Sequence, residues 1–208
     1  KPDVKPYLDW LRKDVPLLLD SVPDIKPLLS IEGEIWARFY SSFKVILPED
    51  FTINKRVKRP PDNPMNALIS FGNTLLYTKT ITQIYHTHLD QTISFLHEPA
   101  ERRFSLSLDL SEVFKPIIVY KTIFDCVNNR KLTVEKHFDK SFNYALLNDD
   151  GRKIFISEFE NRMNQTFVHP RLKRRASYHQ AIRLDAYKLT KFMMEGKDFI
   201  AFDMEKQA

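Results

Sequence analysis

Apolar residues recur at three- and four-residue spacing along most of the chain, which predicts a helical protein. Six segments show this pattern, and we expect helices over residues 4–19, 23–43, 65–85, 109–128, 151–166 and 177–195. The broad apolar face of the segment 65–85 indicates a central helix. Residues 104–108 instead alternate between apolar and polar positions, which indicates a short extended piece.

Glycine and proline usage agrees with the helical prediction. Only 4 of the 208 residues are glycine, whereas about 7% is usual and β-rich folds use glycine at turns. The 12 prolines fall where they can mark the starts and stops of helices. We therefore expect an all-α fold in one domain over 1–208, with 48–64 and 168–176 as candidate flexible loops.

Composition and charge narrow the class of protein. Hydrophobic residues make up 43% of the chain, so a folded core is expected. The balance of 32 Lys and Arg against 27 Asp and Glu gives +5, which suggests a polyanionic partner without proving one. Cys126 is a single cysteine on an apolar helix face, so we expect a core thiol and a cytoplasmic location. No apolar run approaches the roughly 20 residues of a membrane helix, so no membrane partner is expected.

Candidate chemistry is sparse when it is judged by spacing alone. The chain has no glycine-rich phosphate loop, no Cys/His zinc spacing and no nucleophile elbow. His86 and His88 would point apart on a helix, so we do not expect them to share a metal. Asp109 and Glu112 would share a helix face near the N-terminus of the segment 109–128, where backbone N–H groups favour anions. Capping and solvation remain the simpler explanation of that pair.

A combination of motifs in three stretches is more specific. Residues 58–77 read KRPPDNPMNALISFGNTLLY, residues 94–97 read SFLH, and residues 105–116 read SLSLDLSEVFKP. Upstream, Ile31, Glu32 and Gly33 form an acidic element. Over about residues 28–195 the chain resembles the family of CRISPR-associated integrases and endonucleases of spacer acquisition. The resemblance implies an α-helical catalytic domain, in agreement with the helical pattern.

The resemblance also implies a metal site. The metal ligands of the family fall on Glu32, His97 and Glu112, and the expected cofactor is Mg²⁺ or Mn²⁺. Asp109 is a second acid, which would hold a metal-bound water or orient His97. Tyr77 is expected beside the active centre, where it would bond the scissile phosphate or the nucleophile; a core tyrosine is the alternative.

Other residues carry roles in DNA binding by the same resemblance. Asn66 is expected to cap a helix near the site, with a direct DNA contact as the alternative. Lys115 stands where the family usually has Arg, so it would bind a phosphate as a point charge. We expect DNA to be bound by Arg59 and its basic neighbours, and also by Arg102, Arg103 and Lys115. The basic group Arg171, Lys173, Arg174 and Arg175 could do the same or form a solvated loop.

The implied function is that of a metal-dependent DNA endonuclease and integrase, which inserts foreign DNA as new spacers into a CRISPR array by 3′-OH transesterification. The implied partners are double-stranded DNA (prespacer and CRISPR repeat), a small ferredoxin-like adaptation subunit and, for the full-length protein, a second copy. The resemblance implies a β-rich domain at the start of the family's proteins, which we expect to lie outside this sequence, and Ser94 replaces a usual Gly. The alternatives are a non-catalytic helical nucleic-acid-binding module and a related transposon-borne integrase.

Overall fold

Helices dominate the computed structural model, which describes residues 3–53, 55–96, 104–139, 145–169 and 172–203. The helices are α1 Lys5–Asp20, α2 Ile25–Ser41, α3 Phe43–Ile46, α4 Pro64–Tyr85, α5 Ser105–Glu112, α6 Lys121–Asn128, α7 Val134–His137, α8 Asp149–Asn164 and α9 Tyr178–Glu195. A 3₁₀ turn spans Glu49–Phe51 and a π-helix spans Lys115–Tyr120. The all-α prediction is therefore confirmed for the described residues.

Two short antiparallel strand pairs accompany the helices. β1 Phe138–Asp139 pairs with β2 Leu146–Leu147, and β3 Thr166–Val168 pairs with β4 Arg175–Ser177. Strands β3 and β4 lie at the two ends of the predicted loop 168–176. This loop is therefore the connection of a β-hairpin. Within the ranges that the structure describes, no helix combines the length and apolarity needed to cross a bilayer.

The chain divides into two compact units. Unit 1 comprises Lys1–Leu68 and Val127–Gly151, and unit 2 comprises Ile69–Cys126 and Arg152–Ala208. The prediction of one domain over 1–208 stays a prediction.

Unit 1 is held together by aromatic side chains. Phe39 and Tyr40 at the end of α2 pack edge-on against the fully buried Phe43, with ring centroids 5.0 and 5.7 Å away. Phe51 packs edge-on against Phe138 of β1 at 5.9 Å. Such edge-to-face pairs add to the burial of apolar area. The predicted helix 23–43 splits at Ser42 into α2 and α3.

Unit 2 has its core under α5 and α9. Ala181, Ile182 and Ala186 of α9 are fully buried. Helix α9 begins with a capping box between Ser177 and Gln180, which satisfies backbone N–H groups at the helix start. Helix α9 confirms the helix predicted over 177–195. Cys126 is fully buried and is in no disulfide, which confirms the core thiol.

A buried acid fixes the last described residues of unit 2. Asp185 of α9 has its Oδ2 2.8 Å from the backbone N–H of Phe202 and its Oδ1 2.6 Å from Lys188 Nζ. Burial raises the pKa of Asp185, against the opposing effect of Lys188. The Phe202 ring stacks on Phe114 with centroids 5.2 Å apart. The segment after α9 therefore packs against the chain that follows Glu112.

The predictions for residues 104–128 are wrong in two respects. Residues 104–108 are not extended, because α5 begins at Ser105, and the predicted helix 109–128 is split into α5, the π-helix and α6. The misleading signal is a buried polar face: Ser105 Oγ donates to Thr92 O and Ser107 Oγ donates to Gln91 Oε1. Buried, hydrogen-bonded serines therefore resemble the exposed side of a strand. Pro116 lacks an N–H donor, so it cannot make the regular backbone hydrogen bond of an α-helix, and it lies in the π-helix.

Candidate active site

Glu112 is the last residue of α5, so its predicted position near a helix N-terminus is wrong. The C-terminal end of a helix carries partial negative charge and favours a nearby cation. Lys115 supplies one, because its Nζ contacts Glu112 Oε1 three residues further along the chain. The two side chains are 14% (Lys115) and 18% (Glu112) exposed, so the pair is largely shielded from water.

The other oxygen of Glu112 finds no hydrogen-bond partner in the described part of the chain. Glu112 Oε2 is buried, and no donor among the described residues reaches it. A buried carboxylate oxygen without a donor is destabilising until a cation or a proton donor satisfies it. Oxygen is also the atom that Mg²⁺ and Mn²⁺ prefer. This half of the carboxylate therefore fits the role of a metal ligand.

Asp109 holds the chain segment that leads into His97. Its side chain is almost fully buried, and its Oδ2 accepts the backbone N–H groups of Phe95 and Leu96, both at 2.9 Å. Hydrogen bonds to an ionised acceptor are about twice as strong as neutral ones. Asp109 thus fixes the two residues before His97. His97 itself lies outside the described residues, as do Arg102 and Arg103.

Tyr77 connects α4 to the start of α5. Its hydroxyl donates to the backbone O of Phe104, the residue before α5, at 3.3 Å. The side chain is half-buried. Asn73, one helical turn earlier, has a buried Oδ1 that finds no donor in the described ranges.

Glu32 lies on α2 in unit 1, whereas Glu112, Asp109 and Tyr77 lie in unit 2. The indole Nε1 of Trp36 donates to Glu32 Oε1 at 3.2 Å, one helical turn away. No cluster of three or more His, Cys, Asp or Glu side chains suited to a metal ion occurs among the residues that the structure describes. Because His97 lies outside them, the predicted ligand set stays a prediction.

The helix cap that was predicted at Asn66 is instead Asn63. Helix α4 begins at Pro64, and Asn63 Oδ1 accepts the backbone N–H of Asn66 at 2.9 Å. Asparagine followed by proline at the first helical position is a common helix start, so the sequence did carry this signal. Asn66 is instead fully buried inside the first turn, and its burial gives no support to a direct DNA contact.

The basic residues divide into exposed and engaged cations. Arg59 is exposed. On the β3–β4 hairpin, Lys173 and Arg174 are also exposed, while Arg175 donates through Nε to Thr166 Oγ1 at 2.9 Å. Sequence reasoning missed that Arg56, in the first basic run, is half-buried and bonds Asn66 Oδ1 at 2.9 Å. Nothing in the composition of a run of cations distinguishes such a member from its neighbours.

Comparison with known proteins identifies the family. The chain matches the family described as CRISPR associated protein Cas1 over residues 1–161, a range that contains Glu32, His97 and Glu112. The chain belongs to the Cas1 family. A relative from Fusobacterium nucleatum subsp. nucleatum, named CRISPR-associated endonuclease Cas1, is 44% identical over 202 residues. That match covers 97% of this chain and 59% of the relative, so the chain spans about three-fifths of its length.

Solved structures give the same result for the fold. A Cas1 protein from Thermotoga maritima superposes with a TM-score of 0.81 at 37% identity, covering 96% of this chain and 60% of that one. A casposase bound to an integration product also superposes with a TM-score of 0.81, over 95% of this chain and 61% of that one. At 21% identity the casposase shows a shared fold and nothing further.

Proposed function

We propose that this protein is a divalent-metal-dependent DNA endonuclease and integrase, which inserts foreign DNA fragments as new spacers into a CRISPR array. Membership of the Cas1 family supports the proposal, and the Fusobacterium relative bears the name endonuclease. The site residues expected from the sequence motifs lie within the matched range, which connects the proposed chemistry to this part of the protein.

The observation that carries the proposal is the buried Oε2 of Glu112, which no donor in the described chain satisfies. Together with Glu32 and the imidazole of His97 it would make a Glu/His/Glu set, which suits Mg²⁺ or Mn²⁺ with open water positions. When bound, such an ion would polarise a phosphodiester and stabilise the charge on the leaving oxygen. Asp109 would position His97 through the backbone of Phe95 and Leu96.

The nucleophile in this proposal comes from DNA. The 3′-oxygen of the incoming strand forms a bond to phosphorus, the bond from that phosphorus to the 3′-oxygen of the repeat breaks, and the hydroxyl proton passes to water. This explains why the sequence needs no serine or cysteine nucleophile motif. Lys115 would place its charge near the phosphate, and Tyr77 would donate a hydrogen bond to it.

The partners in this proposal follow the family resemblance. They are double-stranded DNA, as prespacer and as CRISPR repeat, and a small ferredoxin-like adaptation subunit. The full-length protein is expected to form a homodimer. These partners belong to the whole protein, of which this chain spans about three-fifths when measured against its Fusobacterium relative.

The test is strand transfer of a duplex with free 3′-OH ends into a supercoiled plasmid that carries a CRISPR repeat, with Mn²⁺, Mg²⁺ or a chelator. We expect metal-dependent transfer that Glu32→Gln, His97→Ala and Glu112→Gln each reduce by at least about a hundredfold. Glu34→Gln is the matched control, because Glu34 is an exposed acid on the same helix as Glu32 and is paired with Arg38. Its activity should equal that of the unmodified chain.

The same assay separates the rival functions. A non-catalytic nucleic-acid-binding module would bind DNA and show neither transfer nor cleavage at any metal concentration. A transposon-borne integrase would transfer strands with no preference for a plasmid that carries a CRISPR repeat. Full transfer activity in a folded His97→Ala protein would remove the support for the proposed metal site.

A further inference from the structure

Glu32 is held by a donor that carries no charge. The indole Nε1 of Trp36 donates to Glu32 Oε1 at 3.2 Å, one turn further along α2. Both side chains are half-buried. Within the described ranges, no donor reaches Glu32 Oε2, and no cation pairs with either oxygen of this carboxylate. The second oxygen therefore remains available to a ligand, and no described cation offsets the charge of the carboxylate.

A neighbouring acid on the same helix has the contrasting arrangement. Glu34 stands four residues before Arg38, and its Oε1 accepts from Arg38 Nη2 at 2.6 Å. The Arg38 guanidinium also lies over the ring of Trp10 in α1, 4.0 Å from its centroid. Such a cation–π contact attracts the guanidinium to the ring face. The Arg38 cation is thus engaged by Glu34 and Trp10, whereas the partner of Glu32 is an indole.

Aromatic packing restricts the indole of Trp36. Its ring stacks on Tyr40 with centroids 5.9 Å apart, and it meets Phe39 edge-on at 5.7 Å. Both of these rings pack edge-on against Phe43, which is fully buried. Because the attraction between aromatic rings depends on their orientation, this packing limits where Nε1 can point. The aromatic core of unit 1 thus sets the position of the donor to Glu32.

We propose that Trp36 is a positioning residue that orients Glu32 for a divalent metal ion, an inference that rests on the proposed function. Carboxylates that bind a metal are themselves commonly held by a hydrogen bond from another residue. The indole N–H is a donor without charge. It therefore orients the carboxylate and leaves its negative charge to attract a cation. An arginine in the same place would offset part of that charge, as Arg38 does for Glu34.

A purely structural role for this contact predicts a different result. Side-chain pairs four residues apart contribute little to the stability of a helix. Without its N–H, the ring of Trp36 would still pack against Phe39 and Tyr40. Removing the N–H alone should therefore leave folding unchanged in either case. Metal affinity should fall only if Trp36 positions Glu32, because hydrogen-bond partners of metal ligands commonly change affinity by about 10- to 100-fold.

The experiment removes the N–H and keeps the ring. The chain has two tryptophans, Trp10 and Trp36, so in a Trp10→Phe protein any tryptophan analogue supplied during expression enters at position 36 alone. The analogue is benzothienylalanine, in which sulfur replaces the indole N–H. The matched control is the Trp10→Phe protein with ordinary tryptophan. Relative to this control, we expect apparent Mn²⁺ affinity to fall about tenfold, measured by electron paramagnetic resonance of the free Mn²⁺.

The emission of Trp36 gives a second readout in the Trp10→Phe protein, whose fluorescence comes from this one indole. Mg²⁺ should shift the emission, because the ion binds the carboxylate to which the indole donates. Glu32→Gln should abolish the shift, since the amide oxygen still accepts from Nε1 but lacks the charge that attracts the ion. Glu34→Gln removes an acid from the same helix and should leave the shift unchanged.

Undiminished Mn²⁺ affinity in the benzothienylalanine protein would overturn the positioning role and leave the proposed function standing. So would an emission that Mg²⁺ does not shift, or that it shifts equally in Glu32→Gln. A lower unfolding midpoint or a loss of helical circular dichroism in the benzothienylalanine protein would show that the contact is structural, which also overturns the inference. Failure of both the control and the unmodified chain to bind Mn²⁺ would instead overturn the proposed function, and this inference with it.

Discussion

Asp109 Oδ2 accepts the backbone N–H of Leu96 at 2.9 Å across thirteen residues of sequence. The same oxygen accepts the N–H of Phe95 at the same distance. An acid three positions before Glu112 is therefore engaged with backbone groups. This contact makes Asp109 a residue that places the chain before His97.

Replacing Asp109 should weaken metal binding without removing a ligand. We expect Asp109→Ala to lower apparent Mn²⁺ affinity by roughly 10- to 100-fold, as for other residues that orient metal ligands. Asp109→Asn keeps one acceptor oxygen for the two N–H groups, so its loss should be smaller. Mn²⁺-dependent stabilisation in thermal unfolding measures both.

Asp125→Ala is the control for that experiment, because Asp125 is a partly exposed acid of the same unit that pairs with Lys121 and Arg162. It should lose stability and keep its Mn²⁺ affinity. If Asp109→Asn is as damaging as Asp109→Ala, Asp109 binds the metal directly. An unchanged affinity in Asp109→Ala would contradict the positioning role.

Lys115 should oppose metal binding while it supports DNA binding. Its ammonium contacts Glu112 Oε1 and so neutralises part of the negative charge that would attract a divalent ion. We expect Lys115→Ala to raise apparent Mn²⁺ affinity up to about fivefold, the equivalent of about 1 kcal/mol, because the ammonium no longer competes for Glu112. Strand transfer should fall, because a phosphate contact is lost, and Lys115→Arg should restore it.

The comparison variant for Lys115 is Lys121→Ala, which removes an exposed cation paired with Asp125. Its Mn²⁺ affinity and strand transfer should match those of the unmodified chain. A lower Mn²⁺ affinity in Lys115→Ala would mean that the lysine holds Glu112 in place for the metal.

The sequence predicts the helices with long apolar faces and fails where polar groups are buried. Helices α4 and α9 match their predicted bounds closely, because hydrophobic periodicity alone places them. The first turn of α5, residues 105–108, was missed, because its buried serines satisfy their hydroxyl groups through partners about 13 to 16 residues away. Long-range pairing of this kind leaves no periodic trace in the sequence.

The candidate site shows the same division. Motifs singled out Glu112, Asp109 and Tyr77, but only the structure shows that Asp109 accepts backbone N–H groups before His97 and that Tyr77 donates to Phe104 O. The engaged state of Arg56 likewise depends on a buried amide ten residues away. The motif resemblance singled out the candidate site residues, whereas the residues that hold them in place depend on tertiary contacts.

Replacing glycine with alanine should have opposite effects on the stability of the chain in α4 and in α2. A Cβ at Gly72 in α4 would lie 2.6 Å from Val119 Cγ1 and 3.3 Å from Phe155 Cζ, so Gly72→Ala should destabilise the chain by about 1–3 kcal/mol. A Cβ at Gly33 in α2 would meet nothing within 4 Å, and alanine is the better helix former. Gly33→Ala should therefore stabilise by up to about 1 kcal/mol. Urea unfolding of both variants checks the signs, and equal stability of Gly72→Ala and the unmodified chain would contradict the close packing.

His179 should make the chain less stable in mild acid. Burial lowers the pKa of His179, and the nearby Lys79 ammonium lowers it further, against the opposing charge of Glu160. Between this lowered pKa and the ordinary value of about 6.5, the unfolded chain binds more protons than the folded chain. Unfolding therefore becomes more favourable as pH falls through that window, and the stability contribution is fully present only above it.

The check on His179 is the unfolding midpoint from pH 8 to pH 5 for the unmodified chain and for His179→Gln. The variant should lose less stability on acidification, because it has no proton to take up on unfolding. Lys79→Met removes the cation that pairs with Glu160 at 2.6 Å, so the His179 pKa should rise toward its ordinary value. Midpoints that stay parallel between the unmodified chain and His179→Gln would show that the imidazole titrates alike in both states. An NMR titration of the His179 ring in the Lys79→Met protein then separates the effect of the Lys79 charge from that of burial.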